Sequence, residues 1–193
     1  MRPIRFAITL CLTGGLLAAC ASSVPRTVSD IHPLYSPSEI SRAGGDRDTY
    51  VVLRGAPFAM PPAQFEQLVL ANMQGQNAGR RTNFATRPGD HDPAYKVVIL
   101  FNGPNAVSGD DLCRNPGAAP FRSGPQQQLH VLAVFCRYDA PRTKVDGWLG
   151  GDASGVSPEG FAQLIRQVTR ELFPSFNPND ARRDSDNCRG LSC

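Results

Sequence analysis

Three short runs rich in β-branched and aromatic residues stand out along the chain. They are Thr49-Tyr50-Val51-Val52-Leu53, Lys96 to Phe101 (KVVILF) and Leu129 to Tyr138 (LHVLAVFCRY). Each is closed by turn residues, Gly55 with Pro57, Asn102-Gly103-Pro104 and Asp139-Ala140-Pro141, so each predicts a strand. Lys144 to Leu149 predicts a fourth strand that returns antiparallel and carries Trp148. Two other segments follow the helical period. Pro61-Pro62 open one, with Phe65, Leu68, Val69 and Met73 on one face and Gly75 as its stop. In the other, Ser157 caps, Pro158 occupies the first turn, and Phe161, Leu164, Ile165, Val168 and Leu172 form one stripe that ends at Pro174.

The order β-α-β-β-(β)-α predicts an α+β domain: a single small sheet of three or four strands packed with two helices. The second and third strands have no polar face. Val97, Ile99 and Phe101 point one way and Val98 and Leu100 the other, so both faces of the sheet centre require cover. Either the helices divide between the faces, or the Gly/Pro-rich loop from 102 to 126 or a partner covers the second one.

The periodic segments occupy residues 49–174, one domain's length. Residues 20–48 are polar and broken by Pro25, Pro33 and Pro37, which predicts a flexible tether reaching at most about 90 Å. Within it, Ser36-Pro37-Ser38-Glu39 predicts one or two helical turns, read as a local turn in a linker. Residues 175–193 have no period and read as an irregular tail.

At the N-terminus the pattern changes. Arg2 and Arg5 precede an uncharged apolar run from Phe6 to Leu17, and small residues lead into Cys20, the layout of a secretory signal. Leu17-Ala18-Ala19-Cys20 resembles the lipobox of bacterial lipoproteins. That resemblance implies a signal peptide over residues 1–19, a diacylglyceryl group on the Cys20 thiol, and an acylated (palmitate-type) new N-terminus. Ala21-Ser22, with no aspartate, implies sorting to the periplasmic face of the outer membrane. Ala19-Cys20-Ala21 also satisfies the A-x-A rule, which would release a soluble periplasmic protein. An uncleaved span is disfavoured by Gly14, Gly15, Ser22 and Ser23. Beyond the lipobox, the element order ending in Leu172-Phe173-Pro174 resembles small α+β domains of proteobacterial envelope lipoproteins, without a diagnostic motif.

Export changes the reading of the cysteines. With Cys11 in the signal and Cys20 spent on lipid, Cys113, Cys136, Cys188 and Cys193 remain, an even number in an oxidising compartment. Three pairings are open, and neighbours in sequence favour Cys113 with Cys136 and Cys188 with Cys193. No C-x-x-C occurs, so no metal is expected. Loss of Arg2 and Arg5 from 20 basic side chains against 17 acidic ones leaves a nearly neutral mature chain, which gives no electrostatic case for nucleic acid.

Candidate chemistry is sparse. Asp90-His91-Asp92 could orient a histidine for hydrolysis or hold a metal, yet it sits in a Gly/Pro-rich loop where a solvated turn is the commoner role. Asp110-Asp111 follows Ser108-Gly109 and reads as turn material. His130 lies within a strand as a core or interface histidine. Ser157 misses the G-x-S-x-G spacing and is explained as a helix cap. Asp180, Asp184 and Asp186 miss the calcium-loop pattern.

The sequence thus predicts an envelope lipoprotein anchored through Cys20, a non-enzymatic binding or structural module facing the periplasm. It needs no cofactor, and its expected partners are the membrane and an envelope protein met near the 102–126 loop and Trp148. The alternatives are a periplasmic hydrolase using Asp90-His91-Asp92 and a soluble periplasmic small-ligand binder.

Overall fold

A computed structural model describes residues 24–150 and 156–180; Cys20, Cys188 and Cys193 lie outside them. The elements are β1 (Arg26–Ile31), α1 (Ser38–Gly44), β2 (Asp48–Arg54), α2 (Pro62–Met73), β3 (Asn83–Ala85), β4 (Tyr95–Phe101), α3 (Gly109–Arg114), β5 (Gln128–Arg137), β6 (Ala140–Gly150) and α4 (Pro158–Leu172). They build one mixed sheet in the order β1-β6-β5-β4-β2-β3. β2 runs parallel to β3 and β4, and the other pairs are antiparallel.

This overturns the expected small sheet of three or four strands with two helices: among the described residues the sheet has six strands, and four α-helices pack on it. The fold stays α+β, and each extra element has a physical reason for its weak pattern. β1, within residues 20–48, is an edge strand, and most of its side chains are exposed. Of its two half-buried residues, Ile31 packs against the core and Thr27 is met by polar groups of α4: Thr27 Oγ1 donates to Glu171 Oε1 at 2.6 Å and accepts from Gln167 Nε2 at 2.7 Å. β3 is three residues long and buries only Phe84. α3 is a six-residue helix set by a capping box, in which Ser108 Oγ accepts from the Asp111 N–H and the Asp111 carboxylate accepts from the Ser108 N–H.

α1 docks instead of floating in a linker. Ile40 and Ala43 are buried, and Glu39, 2% exposed, accepts from Arg142 Nε at 3.2 Å with Arg137 Nη1 at 3.6 Å. A buried carboxylate is tolerated only with such partners, so this ion pair fixes α1 to the β5–β6 hairpin. Gly44 allows the approach, since a Cβ there would strike the buried hydroxyls of Thr49 and Thr82.

The core has two layers. α1, α2 and α4 cover one face, where Phe65, Val69, Phe161, Leu164, Ile165 and Val168 meet Val97, Ile99, Phe101, Val131 and Phe135. Gly147 lets α4 lie close, because a Cβ at that position would come within 2.9 Å of both Leu164 and Val168. On the opposite face Val98, Leu100, Leu132 and Val134 meet Leu112 and Ala119, and the Cys113–Cys136 disulfide joins α3 to β5. The loop from 102 to 126 is therefore the second cover of the sheet centre. Through α3 it also reaches the start of β6, where Gly109 lies against Pro141 and Lys144, but it leaves the Asp146–Trp148 end of β6 and β1 uncovered, and Val28 is 62% exposed. Past α4 the chain folds back, and Asn177 Nδ2 donates to the carbonyls of His32, Pro33 and Tyr35.

Candidate functional site

The uncovered part of the second face begins where β4 ends. Strand alternation places His130, Trp148, Asp146 and Lys144 on this face, and the register sets His130 directly opposite Trp148. Their rings stack, with centroids 5.3 Å apart and planes 17° from parallel. His130 Nε2 lies 3.0 Å from Asp146 Oδ1, and its Nδ1 lies 3.3 Å from the Gly103 carbonyl. Both ring nitrogens thus face oxygen. Lys144 Nζ approaches the other Asp146 oxygen at 3.3 Å. The bond from His130, with the Lys144 ammonium beside it, holds Asp146 below the ordinary carboxylate range, against partial burial that acts the other way.

Asn102 closes β4 in the left-handed region, with φ of 52°, a conformation asparagine tolerates better than most residues. Its N–H donates to the His130 carbonyl at 2.8 Å, its carbonyl accepts from the Arg122 N–H at 3.0 Å, and its Oδ1 accepts from the His130 N–H at 3.3 Å. The side-chain Nδ2 has no partner, although Asn102 is only 6% exposed. A buried donor left unmade costs about 1–3 kcal/mol, so it marks a place where a ligand group can be received.

These residues open into a groove of about 570 Å³. Trp148, His130 and Asn102 line it together with Asn105, Arg122 and Gln126. Amides supply donors and acceptors and the rings an apolar wall, which is the composition of a recognition site. Of its titratable groups, His130 is engaged by Asp146 across the sheet, and Arg122 has no carboxylate partner among the described residues.

The other predicted positions serve local structure. The Asp90 carbonyl accepts from the Asp48 N–H at 2.9 Å, and its carboxylate is 3.9 Å from Arg47 at an exposed position. His91 lies tilted against Tyr50, ring centroids 5.7 Å apart, and Asp92 Oδ1 accepts from the Ala94 N–H. The nearby Asp48 is held low by bonds from the Asn83 side chain and the Gly89 N–H. Asp90, His91 and Asp92 thus close the loop ahead of β4. Asp111 belongs to the α3 capping box, and Ser157 Oγ accepts from the Gly160 N–H as the α4 cap. Among the described residues no three His, Cys, Asp or Glu side chains are placed to share a metal ion. None of the described helices is long and apolar enough to cross a membrane.

Sequence reasoning singled out Trp148 but missed its setting. His130 and Asp146 come from neighbouring strands, and only the β5–β6 register, shifted by an irregularity at Phe135/Cys136, brings them together. Asn102 carried a signal, an asparagine after an apolar run and before Gly-Pro, which reads first as a turn.

No protein-family model matches the chain, and no curated protein does so. Among solved structures, a PelC dodecamer from Paraburkholderia phytofirmans aligns with a TM-score of 0.43 and 14% sequence identity, covering 79% of this chain and 100% of that one.

Proposed function

We propose that the chain is an envelope lipoprotein, anchored through Cys20 to the periplasmic face of the outer membrane, and that its domain is a non-enzymatic module that binds an envelope component. The observation that carries the binding role is the groove at Trp148, with its stacked aromatic wall, its amides and the unpartnered Asn102 donor. The anchor rests on the lipobox resemblance of Leu17-Ala18-Ala19-Cys20.

Mass spectrometry of the mature N-terminus tests the anchor, with Cys20→Ser as the control. The expected result is a triacylated Cys20 peptide, with the Cys20→Ser protein moving from the outer-membrane fraction to the soluble one. An unmodified N-terminus downstream of Cys20 overturns the anchor and favours the soluble binder. For the groove, in-cell crosslinking should recover a defined component that Trp148→Ala loses while the variant stays folded. Unchanged recovery places the contact elsewhere.

A further inference from the structure

The first strand begins six residues after Cys20, not at the end of a long tether. Six residues reach about 20 Å at full extension, less than the length of the sheet along β6. Whatever holds Cys20 therefore holds the Arg26 end of β1 close by. Arg26 pairs with Trp148, Trp148 with His130, and His130 with the Asn102 turn, so the groove opens at this same end of the sheet.

The chemistry of that end fits a bilayer surface. β2 also finishes there, with Arg54 opposite Leu100 near the end of β4. The Arg54 guanidinium donates to the Gly117 carbonyl and lies 5.4 Å from the Phe121 ring centroid. Phe121 is 37% exposed and Val24 69% exposed, and Arg26 and Arg122 are exposed. None of Arg26, Arg54 and Arg122 pairs with a carboxylate among the described residues. The carboxylates described nearby are engaged: Asp146 by His130 and Lys144, Glu159 by Arg166. Unpaired guanidiniums beside aromatic rings are suited to the headgroup layer, where phosphates accept hydrogen bonds and amphipathic rings sit at the interface.

We infer that the Trp148 end of the sheet rests on the bilayer that holds the anchor, with the groove and its flanking arginines receiving phosphate-bearing lipid headgroups. The Asn102 Nδ2 and Arg122 supply the donors, and Arg26 lies along the same surface. This identifies the component bound by the groove and rests on the anchored reading of Cys20.

The chain has a single tryptophan, so its fluorescence reports this end alone. Natively acylated protein is reconstituted into phosphatidylethanolamine vesicles containing phosphatidylglycerol, with or without a headgroup-nitroxide lipid. The expected result is flotation with the vesicles, quenching of Trp148 by the nitroxide, and protection from aqueous iodide relative to the Cys20→Ser protein in buffer. For Cys20→Ser protein added to the same vesicles, Arg26→Gln and Arg122→Gln should each weaken binding about fivefold. Flotation with Trp148 unquenched and open to iodide overturns the inference and leaves the anchor standing. Failure of the wild-type protein to float overturns both.

Discussion

Asp146 is the residue at which the groove meets the stability of the sheet. Its carboxyl is held below the ordinary range by the bond from His130, so the folded protein resists protonating it more than the unfolded chain does. A lowered folded value contributes stability that is complete above the unfolded carboxylate range and is lost as pH falls from that range through the lowered folded value. Thermal unfolding from about pH 7 to about pH 3 should therefore cost the wild type more Tm than it costs Asp146→Asn, with the two proteins converging at the acid end. Asp48 and Asp111 are lowered as well, but they are common to both proteins and cancel in the comparison. A constant gap at every pH would show that Asp146 acts through packing and not through its charge. Little of this was legible in the sequence. His130, Asp146 and Lys144 are separated along the chain, and one residue of slip in the β5–β6 register would send them to opposite faces.

At the scale of elements, legibility followed burial. β4 and β5 are apolar on both sides because each of their faces is covered, and α4 carries an unbroken stripe because one side of it is wholly interior. Those elements can be read from the chain. β1, β3 and α3 cannot, for their partners are polar side chains, a three-residue parallel pairing and a disulfide. The stapled loop is the element with the sharpest consequence. The Cys113–Cys136 bond closes a loop of 23 residues in sequence, worth about 3 kcal/mol in the chain-entropy account. Cys113 and Cys136 are both fully buried, so a Cys113→Ala, Cys136→Ala double variant also loses packing against Leu112 and Val134. Urea unfolding followed by Trp148 emission should show a loss of at least about 3 kcal/mol. A loss well under 1 kcal/mol would mean that α3 holds to the sheet without the bond.

For the whole molecule, the N-terminal segment is part of the domain and not a lead-in to it. β1 covers the edge of β6 from Thr143 to Trp148, Thr27 is tied to α4, and residues 31–35 are bound by Asn177 and Asn179 from beyond α4. Removal of residues 21–31 should expose Thr143 to Trp148 of β6 as an unpaired edge, and such edges recruit other strands. The expected outcome is a protein that unfolds more easily and self-associates as its concentration is raised, read by light scattering beside the full mature chain. A truncated protein that remains monomeric with unchanged Tm would show that β1 is dispensable. The cut removes the strand that a polar composition had disguised as linker.

The pairing of β1 with β6 also sets an order in time. Residue 26 waits for residue 148 before its ladder can close, and the intervening helices and strands pack largely through contacts nearer in the chain. Long-range closure of this kind is the slow step of folding, because loop entropy must be met before any contact compensates. A chain that emerges N-terminus first therefore carries its opening strand unmated through most of its synthesis. The sheet draws that strand in only when nearly all the rest is present.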